Sequence, residues 1–269
     1  MKSKRPFRPA PVLTLLVMLG ILPSPLRAQQ RPTMQQGATN LQVFYDFGSD
    51  RKCVTTTLEG FYNDPWGNTF FFFDADYNPM RNGERHPMGA YWEISRCLNF
   101  WQGTPLGGLS LNLEYDGGVY SKYGINHAFL AGADYFLHSQ DFRNTFNFKI
   151  FYKHILYDAG GPAKVPLQFT FVWGMRDLFG LQGLEFSGFL DIWGQDHQVY
   201  DTDMAGQTDF STGRPSQIVA LSEPQLWYNV GQHFGCGNLR IGTEIELSYD
   251  FGTTAGFRLR PCLGAKWVF

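Results

Sequence analysis

The sequence predicts an all-β fold, a transmembrane antiparallel β-barrel of about twelve strands, and three observations carry that reading. Charged residues make up only 17% of the 269 residues, aromatic residues another 17%, and 30 positions are glycine, whereas soluble domains carry about 25% charge. Apolar and polar residues alternate with period two along much of the chain, the pattern of strands with one apolar and one polar face. After the N-terminal leader, no run of about 18 consecutive apolar residues occurs, so a helical membrane protein is excluded.

The leader is the first element. Lys2, Lys4, Arg5 and Arg8 precede the apolar run Val12 to Leu22, and Leu26-Arg27-Ala28 forms a small-residue cleavage site. Residues 1–28 therefore read as a secretory signal peptide, with an apolar run too short to serve as a membrane anchor. Gln29, not Cys, would begin the exported chain, which argues against a lipoprotein. Its removal takes away five basic residues and no acids, so the balance moves from 22 bases against 24 acids to 17 against 24, a net charge of about −7. A net-acidic exported protein is a poor ligand for nucleic acid. Residues 29–39 (QQRPTMQQGAT) are polar and are expected to be a flexible periplasmic segment, leaving 40–269 for the barrel.

Strands are expected near 41–47, 53–62, 68–77, 89–100, 108–117, 127–137, 142–153, 166–176, 183–193, 218–230, 238–249 and 256–269. Leu109, Leu111, Leu113 and Tyr115 alternate with Ser110, Asn112, Glu114 and Asp116; Leu167, Phe169, Phe171 and Trp173 alternate with Gln168 and Thr170. Counted from a periplasmic N-terminus, short periplasmic turns at 63–67, 101–107, 138–141, 177–182 and 231–237 alternate with longer outer loops at 78–88, 154–165 and 194–217. That asymmetry is expected of a barrel in the outer membrane of a Gram-negative cell, with outer-membrane lipid around it.

The last strand places Leu263, Ala265, Trp267 and Phe269 on one apolar face. Closing the barrel requires this strand to pair with the first, because an open edge in hydrocarbon leaves backbone groups unsatisfied. A final strand ending in Phe269 also resembles the signal read by the barrel assembly machinery, which is the expected protein partner. The competing fold, a soluble β-sandwich or lipocalin-like barrel, would turn all the Phe, Leu and Trp inward, more than such an interior holds.

With the apolar parity facing lipid, the other parity lines a lumen. Its acids include Asp46, Glu59, Asp74, Glu93, Glu114, Asp116, Glu185, Asp191, Glu244 and Glu246, and its fewer bases include Arg143, Lys149, Arg240, Arg260 and Lys266. An acid-rich pore disfavours anions and admits cations or neutral polar solutes. Phe44, Phe61, Phe70, Phe72, Tyr91, Phe151, Trp193 and Trp227 share that parity. Rings beside carboxylates suit a solute with a flat face and a hydroxylated part, since stacking contributes about 1–3 kcal/mol per base and carboxylates accept hydrogen bonds from hydroxyls. Packing alone also fills inward positions of barrels.

VTTTLEGFYNDPWGNTFFFFDADYN (Val54 to Asn78), AYWEISRCLNF, GADYF at 132–136, FVWGMRDLFGLQGLEFSGFLDIWGQD (Phe171 to Asp196) and the closing LGAKWVF occur in this order. In these segments the chain resembles the nucleoside-specific outer-membrane channels, the Tsx-like family. The resemblance implies a monomeric twelve-stranded barrel that passes nucleosides passively through weak sites. It points to Glu59, Phe61, Phe70, Phe72, Asp74, Glu93, Glu185, Asp191 and Trp193 as substrate-binding residues of the lumen.

Cys53, Cys97, Cys236 and Cys262 are expected as mostly free thiols, and no CxxC spacing suggests a metal cluster; no cofactor or metal residue is assigned. The six histidines fall in turns, loops or strand ends without a serine and an orienting acid in reach, so the chain is not expected to be an enzyme. The acidic loop 195–216 lacks the EF-hand pattern. The sequence thus predicts a passive channel for small neutral polar solutes, with nucleosides as the leading substrate. The alternative is a structural or adhesion barrel that displays its outer loops without transport.

Overall fold

The computed structural model describes residues 37–48, 50–77, 87–121, 124–156, 163–204 and 206–269. The expected signal peptide, residues 29–36 and the outer-loop segments 78–86 and 157–162 lie outside the described residues. The strand segments are β1 (Gly37–Asp46), β2 (Val54–Asp64), β3 (Gly67–Tyr77), β4 (Pro87–Leu98), β5 (Leu109–Tyr120), β6 (Gly124–His138), β7 (Asn144–Ile155), β8 (Leu167–Arg176), β9 (Leu184–Thr202), β10 (Thr208–Ser222), β11 (Gln225–Tyr228), β12 (Leu239–Tyr249) and β13 (Phe257–Val268).

Segments β10 and β11 form one strand interrupted at Pro224. Their pairing with β9 continues without a register shift from Ser222 opposite Leu190 to Gln225 opposite Ser187. Proline has no N–H to give the ladder, yet its carbonyl still accepts from Ile245 N at 3.0 Å. The wall is therefore a closed antiparallel barrel of twelve strands, each paired with its sequence neighbours and sealed by β1 on β13. Among the described residues there is no α-helix, only two single-turn 3-10 segments at Leu178–Gly180 and Val230–Phe234.

The polarity of the wall is the reverse of a soluble protein. Leu41, Val43, Leu111, Leu113, Leu167, Phe169, Leu259 and Leu263 are exposed on the outside, while Gln42, Asn112, Asp134, Thr170, Glu246 and Lys266 are buried inside. Such a surface is favourable only against hydrocarbon, and a closed ladder satisfies the backbone there. The seam follows the same logic. Trp267, Ala265 and Leu263 lie opposite Leu41, Val43 and Tyr45 on the outer face, and Lys266, Gly264 and Cys262 lie opposite Gln42, Phe44 and Asp46 on the inner one.

Two boundaries differ from those read off the sequence. The barrel begins at Gly37, because residues 37–39 pair with Tyr62, Phe61 and Gly60; they belong to the wall and not to the preceding polar segment. The segment 194–217, expected as a loop, is mostly strand: β9 runs for 19 residues and β10 for 15, beyond the about 9–11 that cross a bilayer. Along the projecting hairpin Val199, Tyr200 and Phe210 stand among Asp, Gln, Thr and Ser, so the regular alternation that marks membrane strands is missing there. The hairpin is braced by a bridge between Tyr200 and Thr254 and by Arg258, which donates to the Thr202 carbonyl.

The connections 65–66, 99–108, 139–143, 177–183 and 229–238 lie at the end that carries Gly37 and Phe269, called the base here. Trp66, Phe100, Phe179, Phe234 and Phe269 stand exposed around that end, where aromatic rings favour a membrane interface. The projecting hairpin rises from the opposite end, the mouth.

Candidate functional site

Strand register settles which face each predicted lumen residue occupies. Phe61 lies opposite Phe70, Glu59 opposite Phe72 and Thr57 opposite Asp74, and β4 continues these rows with Ser95, Glu93 and Tyr91. All share the inner face with Asn40, the partner of Glu59. Six of the predicted residues, Glu59, Phe61, Phe70, Phe72, Asp74 and Glu93, therefore form one patch across β2, β3 and β4. Its rings are close: Phe72 lies 6.1 Å from Phe70 and 5.8 Å from Tyr91 between centroids. Its carboxylates are held from the side. Asn40 donates to Glu59 at 2.8 Å, Thr57 to Asp74 at 2.5 Å, and Tyr91 to Glu93 at 2.7 Å.

Glu185, Asp191 and Trp193 lie on β9, also on the inner face, where they sit opposite Arg176, Thr170 and Gln168. In a ring of twelve, β9 is half the circumference from β3, so the two groups are facing arcs of one lumen. Arg240 pairs with Glu185 at 3.0 Å. Lys153 from β7 lies 4.6 Å from the Trp193 ring centroid, donates to Gln168 at 2.7 Å and stands 3.5 Å from Asp116. Arg143, expected in the lumen, instead sits in the turn before β7, more than half exposed, with Asp141 and Asp177 as partners.

Several lumen groups were not singled out from the sequence. Lys153 has the same parity as Lys149, and Gln42 and Asn40 share that of Phe44; these were legible from alternation alone. Glu93, Glu114 and Asp116 were recognised singly, but only the register brings their carboxylate oxygens within 4.8 Å of one another, as a group able to hold a cation. Glu93 and the pair Glu114 and Asp116 are too far apart along the chain for a contiguous ligand spacing to mark them.

Arg51 could not be found by periodicity, since it belongs to the connection 47–53 at the mouth. Its side chain turns inward to Asp46 at 2.8 Å and to Glu246, while Arg260 joins Glu246 to Asp50 at 2.7 Å. Burial pushes the Asp50 carboxyl up, but the hydrogen bonds and charge of Arg260 outweigh it and hold the group below the ordinary carboxylate range. Burial also pushes the Cys53 thiol up to about 11, against the opposing pull of Arg51. All four cysteines are free.

A family model described as "Domain of unknown function (DUF5020)" matches residues 38–269. No curated protein matches the sequence. Among solved structures, a NanC porin aligns with a TM-score of 0.51 at 10% identity, covering 86% of this chain and 99% of the porin. A KdgM porin aligns at 0.45 and 9% identity over the same shares. Outer membrane phospholipase A from Escherichia coli aligns at 0.47 and 10% identity, covering 86% of this chain and 96% of the enzyme. At such identities the likeness shows the fold alone, that of the outer-membrane porin barrels. It also corrects the expectation that the chain is not an enzyme: barrels similar in fold include an enzyme, so that exclusion does not stand.

Proposed function

This chain belongs to the DUF5020 family, and from that premise we propose that it is an outer-membrane channel passing small neutral polar solutes by diffusion, nucleosides foremost. The observation that carries the reading is the pair of facing arcs. On one wall, Phe70, Phe72 and Tyr91 form a run of rings flanked by Glu59, Asp74 and Glu93. On the other stand Trp193, Asp191 and Glu185. A planar base stacks on the rings while its ribose hydroxyls donate to the carboxylates. Binding is weak, because a solute held tightly does not leave at the other side. The base faces the periplasm, the projecting hairpin the exterior, and the chain works as a monomer inserted by the barrel assembly machinery through its final strand.

A second reading has its own observation. Trp227, Phe151, Gln42 and Asn112 are almost wholly buried inside the barrel, which favours a narrow or shut interior and a platform that displays the β9–β10 hairpin. Single-channel recording of the purified protein in planar bilayers, with and without millimolar nucleosides, separates the two. Conductance blocked by nucleosides supports the channel. Correctly folded protein that never conducts overturns it in favour of the platform.

A further inference from the structure

Glu93 on β4 lies opposite Asp116 on β5, and Glu114 is two residues before Asp116 on the same inner face. One carboxylate oxygen from each lies within 4.8 Å of the others. Calcium binds oxygen ligands at about 2.3–2.6 Å, so oxygens separated by up to about 5 Å fit on one such ion.

The second observation is the state of Asp116. Its residue is only 4% exposed, its Oδ2 has Lys153 at 3.5 Å, and its Oδ1 is buried with no hydrogen-bond donor. A buried acceptor without a donor is costly, and Lys153 is a weak remedy. That ammonium is shared with Gln168 at 2.7 Å and the Trp193 ring at 4.6 Å.

The surrounding charges do not balance either. Asp191 from β9 acts on both Glu93 and Asp116 through space, and its own Oδ1 is also unpartnered. Four carboxylates, Glu93, Glu114, Asp116 and Asp191, thus lie around two ammonium groups, Lys149 and Lys153, and Lys149 also faces Asp134 directly across the β6–β7 ladder. With all of them ionised the excess is at least two negative charges at a half-buried site, where like charges this close repel one another. A divalent cation offsets it and supplies Asp116 Oδ1 with a partner. Tyr91, which donates to Glu93 at 2.7 Å, fixes that carboxylate from behind.

We propose that Glu93, Glu114 and Asp116 form a binding site for a divalent cation of the calcium type on the lumen wall between β4 and β5. The site shares Glu93 with the aromatic arc, but it rests on the barrel register and the carboxylate cluster and not on solute transport. Terbium, a luminescent calcium substitute, tests it in the protein purified in detergent, with Tyr91 beside the site as the sensitising ring.

The expected result is saturable terbium emission that calcium displaces, with affinity weaker by at least about tenfold in Glu114→Gln and Asp116→Asn. Calcium also raises the melting temperature of the unaltered protein, and Glu114→Gln, which keeps the side-chain shape, loses that rise. Absent emission from folded protein, or equal emission from all three proteins, overturns the site and assigns the charge excess to bound protons. A barrel that conducts nucleosides yet binds no cation overturns the site and leaves the transport reading intact.

Discussion

Phe44 on β1 and Trp227 on β11 meet inside the barrel with ring centroids 5.4 Å apart, although β13 and β12 stand between their strands in the wall. Two glycines make this possible. Gly264 lies opposite Phe44, Gly242 opposite Trp227, and the glycines lie opposite each other. A Cβ on Gly264 would come within 2.6 Å of the Phe44 ring, and one on Gly242 within 2.4 Å of the Trp227 ring. With hydrogen in both places, the rings lie down on the backbone and touch. Lys266 caps the arrangement 4.3 Å from the Trp227 ring centroid, a favourable cation–π distance.

Trp227→Ala removes the larger ring of this bridge. Truncating a fully buried tryptophan costs about 3–5 kcal/mol, and Phe44 and Lys266 lose their contact with it. The expected outcome is a lower melting temperature together with a larger single-channel conductance. A destabilised variant of unchanged conductance would show that the constriction lies elsewhere along the lumen.

Phe72 is the central ring of the aromatic arc, between Phe70 and Tyr91 and between the carboxylates of Glu59 and Glu93. Stacking accounts for about 1–3 kcal/mol per base, so Phe72→Ala weakens nucleoside block by about tenfold or more. Phe72→Leu keeps apolar bulk without a π-face and shows nearly the same loss. Block constants from single-channel recordings check this, and a leucine variant that blocks like the unaltered protein assigns Phe72 to packing.

At the mouth, Arg260 links Glu246 and Asp50, with Arg260 and Glu246 buried and Asp50 partly so. Arg260→Met leaves Asp50 without its ion-pair partner and Glu246 with Arg51 alone, a loss of up to about 3–5 kcal/mol, seen as a fall in melting temperature.

The same pair sets a pH dependence. The folded Asp50 carboxyl lies below its ordinary value, which is about 3.9 in an unfolded chain. Its contribution to stability is therefore complete above about pH 4 and is lost as pH falls further, through the depressed folded value. Protease cleavage in the 47–53 connection, followed at decreasing pH, is expected to start only below that range. Arg260→Met is cleaved already at neutral pH.

Much of this molecule could be read before its coordinates. Alternation in Leu109 to Asp116 or Leu167 to Thr170 fixes the face of every residue in the strand, because period two leaves no third choice. The inner placement of Glu59, Phe72, Asp191 and Trp193 follows from it. What alternation cannot supply is cross-strand register. The meeting of Glu93 with Asp116, and the half-ring separation of β3 from β9, depend on which residues lie opposite one another. Arg51 was out of reach for another reason: a side chain on a connection has no periodic constraint, and its inward turn is decided by Asp46 and Glu246. The β9–β10 hairpin was missed because strands that leave hydrocarbon need no apolar face.

Cysteine accessibility gives a test of orientation. Cys53, Cys97 and Cys262 are buried, and Cys236 alone is partly exposed, in the base connection 229–238. Cys53 resists thiol reagents twice over. It is shielded from them, and with its thiol pushed up to about 11 almost none of it is thiolate at neutral pH, the form that reacts. One maleimide per folded molecule is therefore expected, at Cys236, and none in Cys236→Ser. If the base faces the periplasm, a reagent too large for porins leaves Cys236 unlabelled on intact cells and labels it once the outer membrane is breached. Labelling on intact cells would invert the barrel and place the β9–β10 hairpin inside. Conductance alone cannot make that distinction, since a symmetric bilayer accepts either orientation.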